Sequence, residues 1–298
     1  MKLSIFTPVF NRENTILRLY KSLQSQTVKN FEWIIVDDGS NDDSYELACS
    51  LAHEANDFSI SVYKQVNSGK HVAINLGVQK AKGELFFIVD SDDYLSIDAV
   101  ERVLDWFGDI SSEKHFAGIS ALKAYENGEV VGGSFNNNDQ YLDITNIDRA
   151  KYGFLGDRAE VYYTDILKKY PFPVFENENF ISEAVVWNKI AHDKYKLRFV
   201  NDIIYYCEYL ETGLSKNIQN VFLKNWKGYT FYVNQELMYR TQFVKKLSLL
   251  FAYVNLSKSK GVTFFVVRKN LTNASLPQLV VAYVFQPVYR SIIRKTKG

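Results

Sequence analysis

Cysteine is almost absent from this chain of 298 residues, because Cys49 and Cys207 are its only two thiols. They lie far apart and form no CxxC pair. Such sparse spacing argues against a disulfide scaffold and against a cysteine-based zinc site. We therefore expect a protein of a reducing compartment.

The chain also lacks an excess of one charge. It contains 35 lysines and arginines and 34 aspartates and glutamates, which gives a formal net charge of +1. A dedicated nucleic-acid-binding protein usually carries a clear basic excess, so that class is disfavoured. Apolar residues make up 47% of the chain, with 21 Phe and 20 Tyr. This composition can form a sizeable core, in one large domain or in one domain with an appendage.

Long apolar runs are missing as well. The run Leu3–Val9 is short and soon meets Asn11, Arg12 and Glu13, which does not fit a secretory signal. No uninterrupted stretch reaches the roughly 18 apolar residues expected of a membrane-spanning helix. These features predict a cytoplasmic protein.

The first 120 residues alternate between strand and helix patterns. Five buried or extended runs predict strands, at Leu3–Val9, Phe31–Val36, Ser59–Gln65, Leu85–Val89 and His115–Leu122. The segments between them have helical periodicity, at Glu13–Gln26, Asp42–Asn56, Gly69–Lys82 and Ile97–Phe107. Repeated βα units predict the α/β class, with a mainly parallel central sheet and helices on both faces.

The second half of the chain is less regular. Its pattern weakens from about 124 to 160, with a loop or hairpin expected at Asn127–Asp139. A helix is predicted at Phe180–Ile190 and a strand at Phe199–Glu208. Later, Gln219–Tyr239 and Gln242–Ser257 have helical spacing. We therefore expect one domain over residues 1–215 and a helical C-terminal extension over 216–298.

The end of the extension combines apolar and basic residues. Leu276–Tyr289 is almost wholly apolar apart from Gln278 and Gln286, and the run is interrupted by Pro277 and Pro287. The basic residues Arg290, Arg294, Lys295 and Lys297 follow. This composition suits contact with anionic lipid at the inner leaflet. It equally suits a helix docked on the core or on a second copy of the chain.

Three predicted strand ends carry residues that could do chemistry, at residues 7–11, 37–40 and 90–93. In an open α/β sheet, ligands bind at the carboxyl ends of the strands. Asp90 and Asp92 leave a strand with i, i+2 spacing, so their side chains point the same way. Such carboxylates can hold Mg²⁺ or Mn²⁺, which would stabilise charge on a diphosphate leaving group.

These segments resemble the family 2 glycosyltransferases, which have the GT-A fold. The resemblance covers roughly residues 1–125, in the family's order and spacing. It is carried by Thr7-Pro8-Val9-Phe10-Asn11-Arg12-Glu13, Ile34-Ile35-Val36-Asp37-Asp38-Gly39-Ser40, Asn67-Ser68-Gly69-Lys70 through Asn75-Leu76-Gly77, Ala81-Lys82-Gly83-Glu84 and Phe87-Ile88-Val89-Asp90-Ser91-Asp92-Asp93.

The resemblance implies a role for each matching position in binding the donor. The first turn would line the nucleotide pocket, through Thr7, Pro8 and Phe10. Asp38 would accept a hydrogen bond from the base, with Asp37 beside it, and Lys70 would lie near the nucleotide. In the last turn, Asp90 with Ser91 would bind the ribose. Asp92 with Asp93 would hold the metal–diphosphate unit.

The catalytic carboxylate implied by the resemblance is Glu183, in Ser182-Glu183-Ala184-Val185-Val186-Trp187. The family's commoner motif has an acidic pair, whereas position 184 is Ala here. Glu176 and Glu178 are rival bases, and Glu183 could instead be only a first-turn acid favoured by the helix dipole. Tyr209 and Gly213-Leu214-Ser215 resemble a loop that closes the donor site.

The function implied is inverting transfer of a sugar from a nucleotide diphosphate donor, most simply a UDP-sugar. The acceptor would be a glycan or a lipid-linked glycan in bacterial surface-polysaccharide synthesis. Residues 1–125 would bind the donor and 126–215 the acceptor, in a monomer or a homo-oligomer.

Other classes fit the residues less well. A nucleotide-sugar pyrophosphorylase needs a Gly-rich loop, and Thr7–Glu13 has no glycine. A dinucleotide oxidoreductase needs GxGxxG after its first strand, which is absent. An aspartate-nucleophile phosphatase would not explain Asp37-Asp38. A non-catalytic binding subunit on the same fold is the remaining alternative.

Overall fold

The structure is a computed structural model that describes residues 2–54, 57–111, 113–135, 140–153, 156–208 and 217–296, with side chains described as far as Gln286. The chain divides into two compact units. The first unit comprises Met1–Phe172 and Val186–Glu211. The second comprises Pro173–Val185 and Thr212–Gly298.

The first unit is built on a sheet. Its strands are β1 (Leu3–Val9), β2 (Phe31–Asp37), β3 (Ser59–Lys64), β4 (Leu85–Ile88), β5 (Tyr94–Leu95), β6 (Phe116–Tyr125), β7 (Tyr141–Ile144), β8 (Ala159–Tyr163) and β9 (Lys196–Cys207). Its helices are α1 (Ile16–Gln24), α2 (Ser44–His53), α3 (Lys70–Lys80), α4 (Ala99–Ile110), α5 (Thr164–Lys169) and α6 (Ala184–His192), the last of which begins in the second unit. A 3-10 turn at Arg149–Tyr152 lies between β7 and β8.

The described strands form one nine-stranded sheet in the order β3-β2-β1-β4-β8-β6-β9-β5, with β7 on β9. The first four neighbours, β3, β2, β1 and β4, are all parallel. Because β8 is antiparallel to both β4 and β6, strand β6 runs in the same direction as β1 and β4. Strand β9 is parallel to β6 and shares this direction. The carboxyl ends of these six strands therefore point to the same edge of the sheet.

The core of the sheet follows from its sequence. Every residue of β2 is buried, as expected for a central strand covered on both faces. Helix α3 lies close to β1 at Gly77, where an added Cβ would come within 2.3 Å of the Phe6 ring. Glycine at this helical position therefore serves close packing against Phe6.

The second unit is helical. It contains α7 (Ile218–Lys224), α8 (Trp226–Tyr239), α9 (Phe243–Ser259), α10 (Phe264–Asn270) and α11 (Leu276–Thr296). These helices share a core of aromatic and aliphatic side chains that includes Tyr229, Tyr253 and Leu279. The predicted helical C-terminal region is confirmed.

The segment Pro173–Val185 clusters with this helical unit, although we expected it in the first domain. Glu178 accepts hydrogen bonds from the first backbone N–H groups of α8, with Oε1 2.7 Å from the Lys227 nitrogen and Oε2 2.8 Å from that of Gly228. The Asn225 amide oxygen accepts from the backbone nitrogens of Asn179 and Phe180. The predicted boundary at 215/216 falls within 209–216, outside the described residues.

Several predicted element bounds were wrong. Helix α1 begins at Ile16, because residues 12–15 form a turn in which Glu13 pairs with the start of α2. Helix α6 begins at Ala184, after a segment in which the Asn225 side chain accepts hydrogen bonds from the nitrogens of Asn179 and Phe180. Strands β7 and β8 were not predicted.

The two prolines that interrupt the apolar C-terminal run do not end the last helix. Helix α11 runs from Leu276 to Thr296 and includes both Pro277 and Pro287. Pro277 lies in the first turn, where a backbone N–H has no partner within the helix, so it costs little there. Among the described helices, none combines the length and apolar character needed to cross a bilayer.

We expect Gly77→Ala to lower the free energy of unfolding by about 1–3 kcal/mol, because the new methyl group overlaps the Phe6 ring. The matched control is Gly108→Ala in α4, where an added Cβ has no neighbour within 4 Å. This control should be neutral or stabilising by up to about 1 kcal/mol. Urea unfolding of both variants measures the difference. Equal stability of the two variants would contradict the packing argument.

Candidate functional site

The three polar strand ends expected from the sequence come together at one edge of the sheet. Strand β1 pairs in parallel with β2 on one side and with β4 on the other. The segments that follow these strands, at 10–12, 37–40 and 89–93, therefore leave the sheet side by side. Chain connections diverge on the two sides of β1, which is where ligands bind in open α/β sheets.

Hydrogen bonds join the first two of these segments. The Ser40 hydroxyl accepts from the Asn11 nitrogen at 3.0 Å, and the Asn11 side-chain oxygen accepts from the Asn41 nitrogen at 2.9 Å. The Ser44 hydroxyl accepts from the Arg12 nitrogen at 2.6 Å. Asn11 has φ 54° and Gly39 has φ 75°, which are values that Asn and Gly tolerate best. The two turns thus form one connected rim.

The two predicted base-binding aspartates are buried. Asp37 Oδ2 accepts from the nitrogens of Gly39 and Ser40, at 3.2 and 3.1 Å. Asp37 Oδ1 is buried and has no hydrogen-bond donor among the described residues. Because a buried acceptor without a donor is unfavourable, this oxygen is suited to a donor group of a ligand.

Asp38 organises the segment that leads to Lys70. Its Oδ1 accepts from the Gln65 amide at 2.7 Å and from the Ser68 nitrogen at 2.8 Å, and its Oδ2 accepts from the Gly69 nitrogen at 2.8 Å. Gly69 directly precedes α3, so Asp38 holds the N-terminus of that helix. A carboxylate has about four acceptor positions, which leaves about one for a ligand.

The acidic turn at 90–93 is paired with cations of the chain itself. Lys70 Nζ lies 2.6 Å from Asp90 Oδ1, and an Arg12 guanidinium nitrogen lies 3.5 Å from Asp92 Oδ2. Arg18 donates a hydrogen bond to the Asp92 carbonyl. The Asp90 and Asp92 side chains keep 30% and 22% of their surface exposed, so both remain accessible to a ligand.

Tyr205 of β9 forms hydrogen bonds with two residues of this turn. Its hydroxyl accepts from the Asp90 nitrogen at 2.9 Å and donates to Asp93 Oδ2 at 2.6 Å. Lys123 of β6 pairs with Tyr205 across the two strands, and its Nζ lies 4.1 Å from the centre of the tyrosine ring. A phenol and an ammonium group thus lie behind the aspartates.

Burial and charge shift the pKa values of this cluster in opposite directions. Burial, reinforced by the charge of Asp90, raises the pKa of Asp93 to about 7. Burial also favours the neutral form of Asp90, but Lys70 and Lys123 hold the pKa of Asp90 below its usual value. Burial lowers the pKa of Lys123, but Asp90 and Asp93 outweigh it and leave that pKa raised. Near neutral pH, Asp90 is therefore ionised and Lys123 is charged, while Asp93 is partly protonated.

The remaining predicted donor-binding residues differ in how far they reach the surface. Phe10 is 41% exposed, and Pro8 is half-buried. Thr7 is fully buried, and its hydroxyl accepts from the Trp33 indole nitrogen at 2.9 Å. Ser91 is buried as well. The Thr7 side chain therefore stabilises the end of β1 and does not face an open pocket.

The oxygen ligands expected for a divalent cation are of the right chemical type. Asp92 and Asp90 are accessible carboxylates, and Mg²⁺ or Mn²⁺ needs only one or two of these when substrate phosphates complete its shell. Asp93 is buried and accepts a hydrogen bond from Tyr205, so it is the less accessible of the two predicted metal ligands. Within the described ranges, no group of three or more Asp, Glu, His or Cys side chains is arranged for a metal. The metal role of Asp92 and Asp93 stays a prediction.

The predicted catalytic Glu183 belongs to the second unit and directly precedes α6. Its rival Glu178 uses both carboxylate oxygens to cap α8. A carboxylate engaged in this way is poorly placed to take a proton, so Glu178 is the weaker candidate. The predicted closing loop, Tyr209 and Gly213-Leu214-Ser215, lies outside the described residues.

Sequence reasoning missed several residues of the site, among them Arg12, Lys123 and Tyr205. Arg12 was visible inside the first motif but was given no role. Lys123 and Tyr205 lie on strands far along the chain, and no local pattern marks them. Only the pairing of β6 with β9 brings them beneath the acidic turn.

The fold and this edge define an α/β domain of the GT-A type, with a candidate ligand site at the ends of β1, β2 and β4. The family model described as Glycosyl transferase family 2 matches residues 4–113. This segment contains all three turns and Lys70. The resemblance to family 2 glycosyltransferases is confirmed.

Most of the similar curated proteins match between about a third and less than half of the chain. The putative glycosyltransferase EpsH of Bacillus subtilis is 39% identical over 106 residues, which are 36% of this chain and 30% of EpsH. The minor teichoic acid biosynthesis protein GgaB of the same species is 26% identical over 226 residues, which are 75% of this chain and 25% of GgaB. The chain thus spans less than a third of either relative.

Solved structures support the fold over nearly the whole chain. TarS 1-349 of S. aureus, in complex with UDP, has a TM-score of 0.62 at 18% identity and covers 98% of this chain and 92% of its own. The mannosyltransferase PcManGT of Pyrobaculum calidifontis, in complex with GDP-Man and Mn²⁺, has a TM-score of 0.56 at 13% identity and covers 96% of this chain and 80% of its own. The GT-A fold class is confirmed.

The raised pKa of Asp93 predicts a pH dependence of stability. A carboxyl whose pKa rises on folding stabilises the native state at low pH, and this stability is lost as the pH rises through about 7. Asp93→Asn mimics the protonated form. It should therefore reduce the loss of unfolding free energy between pH 4 and pH 7, an effect on the order of a few kcal/mol.

Thermal unfolding in EDTA across this range measures the effect. The Asp165→Asn variant, which changes an exposed carboxylate of α5, is the control and should keep the wild-type dependence. An unchanged pH profile for Asp93→Asn would show that Asp93 is not held neutral.

Proposed function

We propose that this chain is a glycosyltransferase that transfers a sugar from a nucleotide diphosphate donor, most simply a UDP-sugar, to a glycan acceptor. One observation carries the proposal. The edge where β1, β2 and β4 end brings together Asp37-Asp38, Lys70 and the acidic turn, within the segment that matches the family. UDP bound to the structurally similar TarS supports the choice of nucleotide.

The base is proposed to bind beside Asp38 and Asp37. Asp38 retains about one acceptor position, which suits the ring N–H of uracil. Asp37 Oδ1 is a second acceptor without a donor. Phe10 presents an exposed ring at the same rim, on which a base can stack. These groups favour a planar ligand that donates hydrogen bonds.

The diphosphate is proposed to bind where Lys70 and Arg12 now contact Asp90 and Asp92. Both cations are partly exposed and can turn from a carboxylate to a phosphate oxygen without leaving the site. Arg12 adds a planar, two-pronged donor that suits phosphate geometry. A divalent ion held by Asp92, with Asp90 or Asp93, would add positive charge to stabilise the leaving diphosphate.

Glu183 is proposed as the general base that takes the proton of the acceptor hydroxyl. A single attack on the anomeric carbon would then invert its configuration. Glu178 is disfavoured as the base because both of its oxygens cap α8. Glu176 is the remaining rival from the same segment.

The setting proposed is cytoplasmic assembly of a surface polysaccharide. GgaB is named for teichoic acid biosynthesis, which supports this setting by likeness. A lipid-linked acceptor at the inner leaflet would suit it, with the protein bound peripherally to that membrane. The acceptor is proposed to bind to the half of the first domain that we predicted at 126–215.

The donor site is tested by a panel of UDP, GDP and dTDP sugars, with Mn²⁺ or with EDTA. One UDP-sugar should raise the melting temperature in Mn²⁺ more than in EDTA, because a ligand of the folded state stabilises it by mass action. Asp92→Asn should lose the effect of the metal and lower transfer about 100-fold or more. Asp165→Asn is the charge-matched control and should behave as wild type.

If no nucleotide sugar shifts the melting temperature, the donor site proposed above is wrong. If donors bind but no acceptor is ever glycosylated, the alternative of a non-catalytic binding subunit replaces the enzyme. Full turnover by Asp92→Asn would remove this residue from the proposed metal site.

The base is tested by Glu183→Gln, with Glu176→Gln as the matched control in the same segment. Glu183→Gln should keep donor binding, measured by the same thermal shift, and lower the rate of transfer by about 10²–10⁴-fold. Glu176→Gln should transfer at a near wild-type rate. The reverse result would reassign the base to Glu176.

A further inference from the structure

The two parts of the chain differ sharply in charge, although the total is balanced. Residues 212–298 contain 14 lysines and arginines and one acidic residue, Glu236. The preceding 211 residues contain 21 basic and 33 acidic residues. Such asymmetry indicates that the basic part meets an anionic partner.

Much of this positive charge is not neutralised within the second unit. The unit also contains Glu176, Glu178 and Glu183, so 14 basic residues compare with four acidic ones. Glu236 is already paired with Arg240, at 2.7 Å, and Glu178 caps α8. Lys245, Arg268 and Lys269 are exposed and form no ion pair with a described residue. Their charges are therefore available to an external partner.

The same unit exposes large apolar side chains in a regular arrangement. On α11, Leu276, Val280 and Val284 are spaced by four residues and are 49%, 44% and 62% exposed. Residues at this spacing share one face of a helix. Leu279 and Ala282 of the same helix are buried in the core of the unit. Helix α11 thus has a second apolar face that the described residues leave uncovered.

Helix α10 combines both kinds of residue on one face. Phe265 is 82% exposed, and Arg268 and Lys269 follow it by three and four positions, so all three lie on the same side. Helix α10 is also next to α11, because the rings of Phe264 and Tyr283 contact each other with their centres 4.9 Å apart. The exposed apolar and basic groups therefore belong to neighbouring helices.

We propose that α10 and the exposed face of α11 form a docking surface for a bilayer that contains anionic phospholipid. Lipid is the occupant that satisfies both features, because apolar side chains enter the acyl boundary while Lys and Arg meet the headgroups. A soluble polyanion would leave Phe265 and Val284 uncovered. A second copy of the chain would bring a face of the same positive charge.

This surface would make the peripheral membrane contact that belongs to the proposed function. Its binding to lipid does not depend on sugar transfer. Binding is measured for the full chain without donor or acceptor, so its failure leaves the enzyme proposal untouched. The probes are vesicles of phosphatidylcholine alone and vesicles that also contain phosphatidylglycerol. We expect flotation with the anionic vesicles only, and weaker flotation as salt is raised.

Two variants separate the contributions of charge and of apolar surface. Arg268→Gln with Lys269→Gln should weaken partition into anionic vesicles by about tenfold, since each cation near such a surface favours binding several-fold. Phe265→Ser should also weaken partition into anionic vesicles. Raised salt should diminish the defect of Phe265→Ser less than the defect of the Arg268 and Lys269 variant, because the lost contact is apolar. The matched controls alter exposed residues of the first unit: Lys21→Gln with Lys82→Gln for charge, and Ile97→Ser for apolar surface. Both controls should bind as wild type.

Other occupants give distinct results. If neither vesicle binds and light scattering shows a dimer that Phe265→Ser dissociates, the surface is an interface between copies. If inorganic polyphosphate binds, and Phe265→Ser affects neither polyphosphate nor vesicle binding, the partner is a soluble polyanion. Either result, or equal flotation of the test and control variants, overturns the proposal.

Discussion

The aspartates at 90, 92 and 93 put three carboxyl groups within four residues, and the repulsion among them has to be relieved before any ligand arrives. The chain relieves it from three directions. Lys70 approaches Asp90 from the start of α3, Arg12 approaches Asp92 from the end of β1, and Lys123 lies behind the turn on β6. Tyr205 donates a hydrogen bond to Asp93, whose pKa is raised to about 7. The positions of α3, of the first turn and of the β6–β9 pair therefore place the groups that offset the repulsion among these carboxyl groups.

The proposed nucleotide side and the proposed diphosphate side of the site are connected through Asp38. Its carboxylate fixes Ser68 and Gly69, and these residues set where α3 begins and hence where Lys70 lies. A change at the end proposed to bind the base should therefore alter the end proposed to bind the phosphates. Because Asp38 belongs to the same turn as Gly39 and Ser40, the Asn11 and Ser40 contact extends the connection to the first strand.

The meeting of the three polar turns could be predicted from sequence because their residues lie within short motifs next to strongly patterned strands. Buried runs such as Phe31–Val36 and Leu85–Val89 indicate strands on their own, and acidic turns after them indicate a site. Lys123 and Tyr205 could not be predicted, because their partners are brought to them by pairing between distant strands. The start of α6 was misplaced, and its upstream residues bond to Asn225, which lies 46 positions beyond Asn179. The short strands β7 and β8 lack a periodic signal long enough to recognise.

The attachment of Pro173–Val185 to the helical unit has a consequence for how the chain can be divided. Asn179 and Glu178 take their partners from Asn225, Lys227 and Gly228, while β9, which lies between them in the chain, belongs to the sheet. Each unit is therefore assembled from two separate stretches, and no single cut yields both intact. During synthesis, residues 173–185 leave the ribosome before the helices that complete their contacts. The helical unit can close only after the last strand of the sheet has been made.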